Sequence, residues 1–454
     1  HGMRFEFGAH IDFASGARGA NAVLWLQGLG WMRPLVHHYA RTQDPATARF
    51  FIETLADFYE SLPRIPRAKH YGYNSLGFDH GLPIWRDAWI ALLQTGQPVG
   101  PFTPFLLRYV VEAGQQVEST IRRFILHNIH TAGCWALFKA ARWFPELREA
   151  GAWERLALRY LVRHAERSFF PDGCHIERCW GYGSHTLRRL TDAYAFARAT
   201  GGMGAVERRY HRLLFRPYAW FARTSLPAER CPGYGDDPPM SSTAILATGR
   251  KLFPRCGRTL GQPIGRSFMS RPSGFVFFRN GTAATSVQAD LSFGEYAGWH
   301  AHFDSLNFNL HVGGRPVLVE LSRFGSYDHP LDHLFRSPEA HNQMLVDGHP
   351  YDNRHQPACG DVAWASLPAL DYFSATHRAY RPIPPPDDQV HRVYVAAEDL
   401  MVRRTVVGVK NPGYFVVLDS VRRMDPTVPF SRAVSGYWHA PAPPADGTAP
   451  EHAV

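Results

Sequence analysis

Apolar residues recur at helical spacing over roughly the first 255 positions, and at every second position through most of the remaining chain. Residues 22–40 carry aromatic and aliphatic side chains three and four apart, and a tract over 45–62 opens at Asp44-Pro45, a helix-start signal. Shorter apolar stretches follow at 83–93 and 104–113. The clearest helix spans 117–144, where Ile121, Ile125, Asn128, Ala132 and Trp135 share one face and Asn128 is its polar exception. Two more helices are predicted over 153–169 and 185–199, the second stopped by Gly201-Gly202. Between them lies a polar and aromatic loop, 170–184. A stretch rich in Pro, Gly and Asp, 225–242, reads as a loop or linker.

From about residue 265 the period changes to two. Strands are predicted at 274–279, 284–293, 300–312, 316–321, 342–346, 362–367, 390–395, 400–409 and 414–422, separated by Gly, Asn, Asp and Pro turns. The expectation is an α+β multidomain chain. An (α/α) toroid built from successive helix pairs covers residues 1–264, and an antiparallel β-sandwich covers 265–454. The Pro/Ala-rich stretch 440–454 has no core pattern, which suggests a β-domain incomplete at its C-terminus.

Composition narrows the class. The chain has 454 residues, 45% hydrophobic and 20% charged, the proportions of a globular protein. Aromatics at 13% suit carbohydrate rings as well as large cores. The net charge is +9 and nearly all the positive charge is arginine, whose planar fork matches carboxylate and sulfate groups. That favours an acidic polysaccharide partner. No Lys/Arg-rich run or nucleic-acid module is present, so nucleic acid is not expected. The six cysteines show no C-x-x-C spacing, and only Cys174 and Cys179 lie close in sequence. No run approaches ~18 apolar residues, so no membrane span is expected. No signal segment is visible, and the sequence leaves the oligomeric state open.

The stretch 298–308 concentrates the candidate chemistry. On an extended segment His300 and His302 face the same side as Asp304, Leu306 and Phe308. A hairpin through Gly313-Gly314 carries Glu320 back toward them, and His341-Asn342 follows. Two imidazoles and a carboxylate, with one histidine to spare, form a set that zinc accepts, although another divalent ion would also fit.

These residues, in this order, resemble the heparinase II/III-like polysaccharide lyases. The likeness covers most of the chain. It is strongest from Ser273 to Gly348, in Pro-Ser-Gly-Phe-Val-Phe-Phe-Arg279, the Gly-x-His-x-His-x-Asp-x-Leu-x-Phe run, Gly-Arg-Pro-Val-Leu-Val-Glu320 and Phe-Arg-Ser-Pro-Glu-Ala-His-Asn-Gln-Met-Leu-Val-Asp-Gly348. Upstream it rests on Leu126-His-Asn-Ile-His130 and on Asp172-Gly-Cys-His-Ile-Glu177 leading to Tyr182.

The resemblance implies a toroid followed by a sandwich, and a periplasmic or secreted bacterial enzyme. It assigns catalytic roles to Asn128, Tyr182 and His300, and structural zinc to His302, Glu320 and His341. Arg86, His130, Glu177, Trp180, His185 and Arg336 are added as substrate contacts. The family usually has Asp where this chain has Glu320, His where it has Ile129, and Tyr-His where it has Tyr182-Gly183. The implied activity is β-elimination on a uronate-bearing glycan, with a glycosaminoglycan of heparan or chondroitin type first. Alginate or an exopolysaccharide is the alternative substrate. A non-catalytic glycan-binding or exopolysaccharide-assembly protein is the rival of another class, and a hydrolase using Glu177 and Glu320 is a third reading.

Overall fold

The structure, a computed structural model, describes residues 10–13, 20–65, 71–100, 102–256, 260, 265–281, 286–323, 331–347, 358–378 and 400–441. Helices come first: α1 (Ala20–Gln27), α2 (Arg33–Thr42), α3 (Pro45–Ser61), α4 (Ser75–Gln94), α5 (Phe102–Ile121), α6 (Asn128–Trp143), α7 (Ala150–Arg167), α8 (Trp180–Ala199), α9 (Glu207–Thr224) and α10 (Thr243–Leu252). The chain divides into two compact units. One comprises His1–Ser168 and His185–Leu213, the other Phe169–Ser184 and Leu214–Val454.

In the first unit α3 begins where the Asp44-Pro45 signal places it, the Asp44 carboxylate accepting from Ala46 N (3.3 Å) and Thr47 N (3.0 Å). The helix expected over 117–144 is instead two. α5 ends at Ile121 and α6 starts at Asn128. The carbonyls that would continue the ladder are taken by side chains: Ile121 O accepts from His130 Nε2 (3.0 Å) and Arg122 O from the Tyr160 hydroxyl (2.7 Å). His127 then caps α6 by accepting from Ile129 N (3.1 Å). The face read across 121–135 therefore spans a break, and Asn128 occupies the first turn of α6.

Within α4, Pro83 has no N–H to give the Asp79 carbonyl four residues back. Lys139 Nζ on α6 donates to that carbonyl (2.9 Å) and to Asp79 Oδ1 (2.8 Å), while Arg189 Nε on α8 donates to Oδ2 (2.9 Å). Burial alone would raise the Asp79 pKa, but Lys139 and Arg189 outweigh it and hold the carboxyl well below the usual range. Removing Lys139 leaves the buried Asp79 carboxylate with Arg189 alone and takes this donor from the Asp79 carbonyl. Lys139→Met is expected to destabilise the protein by about 3 kcal/mol, read by urea unfolding followed by circular dichroism. A loss under about 0.5 kcal/mol, as for an ordinary surface site, would refute this role.

The second unit is mainly β. A short pair, β1 (Arg230–Cys231) and β2 (Met240–Ser241), lies within the segment 225–242 read as a loop or linker. β3 (Arg266–Ser270), β4 (Phe275–Asn280), β5 (Val287–Ser292), β6 (Phe308–Val312) and β7 (Arg315–Leu318) form one antiparallel sheet in sequence order. Next come a short helix, α11 (Asp332–Arg336), and β8 (Met344–Val346). β9 (Gly360–Ser366), β10 (Leu370–His377), β11 (Leu400–Val409) and β12 (Tyr414–Arg423) form the other large sheet, and β13 (Val434–Gly436) pairs with β8.

The two large sheets share one core. Val276, Phe278, Ala289, Leu291 and Phe308 of the first pack with Phe373, Ala375 and Val406 of the second. The expected strand at 390–395 lies outside the described residues, as does nearly all of 440–454. β1, β2, β3, β10 and β13 fall where no strand is expected from the sequence. The expected strand over 300–312 shrinks to β6, because a turn from Asn307 N to Asp304 O (3.0 Å) and a left-handed Leu306 (φ 62°) break the extended run.

His377 ends β10 fully buried, and burial, with Arg404 adding, pushes its pKa down to about 3. The unfolded imidazole titrates near 6.5. Above that pH neither state carries the proton. Below it only the unfolded state does, so stability falls by about 1.4 kcal/mol per pH unit until the folded value is reached. The variant His377→Asn is expected to flatten this slope between roughly pH 6.5 and 3 in acid-unfolding curves. An unchanged slope would remove His377 as its source.

Candidate active site and metal cluster

Tyr182 does not lie in an open loop. α8 begins at Trp180, and its first-turn amides are satisfied from elsewhere in the chain: Asp237 Oδ2 accepts from Tyr182 N (3.0 Å). Burial raises the Asp237 pKa to about 6 even though those amide bonds lower it. The loop before α8 is tied to the first sheet. Asp172 Oδ2 accepts from the Ser270 and Ser273 hydroxyls, and Arg178 donates to Ser292 Oγ (2.6 Å) and Glu295 O (2.7 Å). The Tyr182 ring lies flat on His300, with centroids 3.5 Å apart and planes within 13°.

His300 and His302 meet not on a strand face but on a shared carboxylate. Asp236, in the loop between β1 and β2, binds His300 Nδ1 through Oδ2 (2.7 Å) and His302 Nε2 through Oδ1 (3.0 Å). Arg336 Nη2 lies 2.8 Å from Oδ1 and 2.9 Å from Oδ2 of the same group. Gly235 lets this loop come close: it is left-handed (φ +60°), and a Cβ there would sit 2.2 Å from His300 O. Burial lowers the His300 pKa, against the pull of Asp236. Glu177 Oε2 lies 4.0 Å from His300 Nε2, and burial, with Asp237 and Asp236 nearby, pushes the Glu177 pKa up to about 8.

The hairpin through Gly313-Gly314 forms as expected and leads Glu320 to His341, whose Nδ1 lies 3.0 Å from Oε2. Oε1 is 2.9 Å from the same nitrogen, outside the angular range of a hydrogen bond, and 3.8 Å from His302 Nδ1. His302, Glu320 and His341 each offer one ligand atom, all within 4.8 Å of one another. Among the described residues, His302 Nδ1, Glu320 Oε1 and His341 Nε2 are buried without a hydrogen-bond partner, an arrangement that suits a shared cation. Although burial would raise it, the neighbouring histidines hold the Glu320 pKa at about 2. An N, N, O donor set of this kind fits a divalent metal ion.

Other expected contacts fall elsewhere. Trp180 is 2% exposed, donates to Thr224 Oγ1 (3.0 Å) and packs with Trp220, Tyr234 and Phe275, which places it in the core. Arg336 is committed to Asp236 and, through Nε, to Asp332 (3.0 Å), so its fork orients the carboxylate. Both ring nitrogens of His130 are engaged inside the helical unit, with Ile121 O and with His164 Nε2 (2.8 Å). In that unit Arg86 is half-buried over the Trp143 ring (4.3 Å), His185 is exposed, and Asn128 Oδ1 has no hydrogen-bond partner among the described residues. Asp236 and Asp237 were missed. The only trace they leave in the sequence is an Asp-Asp pair after Gly233-Tyr-Gly235. All six cysteines are free, and among the described residues no helix is long and apolar enough to cross a membrane.

A helical unit followed by antiparallel sheets is the fold this chain shares with solved heparinase III structures. A heparinase III structure matches 92% of this chain and 67% of its own, with TM-score 0.67 and 18% identity. The heparan sulfate lyase HepC from Pedobacter heparinus matches 91% and 64%, with TM-score 0.61 and 18% identity. Residues 3–257 match the heparinase II/III N-terminus model and residues 265–444 the heparinase II/III-like C-terminal model, so the chain belongs to the heparinase II/III family. A curated relative, a heparin-sulfate lyase from Bacteroides stercoris, is 24% identical over 365 residues, 71% of this chain. The chain spans about half of that relative's length (52%).

Proposed function

We propose that this protein is a polysaccharide lyase that cleaves a uronate-bearing glycosaminoglycan by β-elimination. The observation that carries the reading is the stacked Tyr182–His300 pair, with His300 Nδ1 held by Asp236. Donation from Nδ1–H to a carboxylate leaves the Nε2 lone pair as the basic site. In this reading His300 Nε2 removes the C5 proton of the uronate. The C–H electron pair becomes the C4–C5 double bond as the C4–O4 bond breaks, and the Tyr182 hydroxyl protonates the departing O4. Asn128 hydrogen-bonds the substrate carboxylate, so that charge spreads into it as the proton leaves. Asp236 and Arg336 are positioning residues. Glu177 belongs beside His300, and Arg86 and His185 are assigned to glycan binding.

His302, Glu320 and His341 would hold zinc, which when bound would fix the loop presenting His300. The dispersed arginine excess supports a sulfated or carboxylated glycan, and the names of the relatives favour the heparan type. A periplasmic or secreted site in a bacterium fits such a substrate. In this reading the helical domain spans residues 1–264 and the β domain 265–454.

The test is ultraviolet absorbance during incubation with heparan sulfate, chondroitin sulfate, hyaluronan and alginate, since elimination leaves a conjugated double bond and hydrolysis does not. A rise on heparan or chondroitin sulfate supports the reading. A rise on alginate alone moves the substrate class. No rise on any glycan from folded, metal-loaded protein would overturn the reading in favour of a glycan-binding protein.

A further inference from the structure

A second cluster of side chains that could hold a metal ion lies inside the helical unit, and none of its members is among the residues assigned to elimination. His130 and Cys134 are one turn apart on α6, and His164 is on α7. All three are buried, at 6%, 0% and 0% exposure. Each offers one ligand atom, all within 4.8 Å of one another.

The hydrogen bonds around the cluster point one lone pair inward, that of His130 Nδ1. His130 Nε2 lies 3.0 Å from the Ile121 carbonyl, which can only accept, so Nε2 carries the proton and Nδ1 is bare. Two donors are aimed at that single lone pair: His164 Nε2 at 2.8 Å and Cys134 Sγ at 3.5 Å. The far nitrogen of His164, Nδ1, lies 2.8 Å from Ser168 Oγ, which can accept as well as donate. Metal-ligating histidines are typically held in this way, with the other ring nitrogen hydrogen-bonded to a carbonyl or similar group.

We propose that His130 Nδ1, His164 Nε2 and Cys134 Sγ bind a soft transition-metal ion, with monovalent copper the ion that fits. The choice follows from charge and coordination number. The cluster holds no carboxylate, and Phe124 and Tyr160 rings wall it at 5.0–5.5 Å between centroids. A divalent ion on one thiolate and two neutral imidazoles leaves a net positive charge in that apolar setting, and zinc would call for a fourth ligand. A monovalent ion leaves the site neutral, and thiolate with imidazole is a ligand set that soft copper selects. On loading, the Cys134 thiol proton goes to solvent. The His164 proton moves from Nε2 to Nδ1, where it donates to Ser168 Oγ. With bonds of about 2.0 Å at a trigonal centre the two nitrogens lie roughly 3.5 Å apart, so the imidazole pair opens by about 0.7 Å.

The experiment titrates monovalent copper into the full chain under reducing, anaerobic conditions, against a copper-selective chelator. One equivalent is expected to be retained with near-ultraviolet thiolate-to-copper absorption. Cys134→Ser should weaken retention about a hundredfold and abolish that absorption, with unchanged circular dichroism. His302→Ala should leave both intact, because the His302, Glu320 and His341 cluster contains no sulfur. If Cys134→Ser fails to fold, X-ray absorption of the copper-loaded wild type decides: one sulfur and two imidazole nitrogens support the site. No retained copper, absorption that survives Cys134→Ser, or an all-sulfur shell drawn from other cysteines would overturn it.

Discussion

Replacing His300 with alanine is expected to lower turnover on heparan sulfate by about 10³-fold, the scale of loss for a positioned general base. Asp236 holds Nδ1 at 2.7 Å, so Nε2 is the nitrogen to which the proposed elimination assigns the proton. Tyr182→Phe should cost about 10²-fold or more, because phenylalanine keeps the flat contact with His300 and removes only the hydroxyl. Both variants should keep the wild-type circular dichroism and their bound metal, and the loss should fall on kcat more than on KM. Asp236→Asn lies between these cases, since it keeps the shape of the side chain but weakens its hold on both histidines. Elimination that survived both His300→Ala and Tyr182→Phe would mean that the active site lies elsewhere in the chain.

Glu320→Ala should leave the protein without its cluster metal and lower its thermal midpoint. The carboxylate is buried between two histidines, whose nitrogens lie 2.9 and 3.8 Å from Oε1. Its removal deletes the one carboxylate among the three candidate ligands. Binding free energy of a structural ion adds to folding free energy, so metal content and stability should fall together. Glu320→Asp, which keeps a carboxylate on a shorter side chain, should restore the metal, which a purely steric role for Glu320 would not predict. Elemental analysis after dialysis reads the first effect and a thermal scan the second. A full equivalent of metal on Glu320→Ala would show that these residues are not its ligands.

Much of the architecture was legible because it rests on local chemistry. The Asp44-Pro45 start, the Gly201-Gly202 stop and the Gly313-Gly314 hairpin each depend on residues a few positions apart. The features that escaped depend on partners far along the chain. α8 starts five residues earlier than its periodicity suggests because Asp237 binds its first-turn amides, a partner 55 positions from Tyr182. The helix at 117–144 is cut because His130 and Tyr160 take carbonyls that the backbone would otherwise use. β10 was missed because its polar residues are buried: Asp371 is 2% exposed and accepts from Ser366 Oγ at 2.6 Å, so an inward position reads as solvent-facing. In the candidate site the histidines and Glu320 stood out by type. Asp236, which joins two of those histidines, sat in a stretch that read as a linker.

The pairing of Pro83 with Lys139 carries a consequence for how such a sequence can drift. Proline denies the Asp79 carbonyl its helical donor, and a lysine 56 positions later supplies one instead. The order of substitution then matters. If Pro83 becomes alanine first, the backbone can provide the donor, and a later loss of Lys139 costs only the ion pair. If Lys139 is lost first, carbonyl and carboxylate are both left short inside the helical unit, and the intermediate is disfavoured. Two changes with one end point thus have one passable route, and a lineage that keeps the proline is held to the lysine.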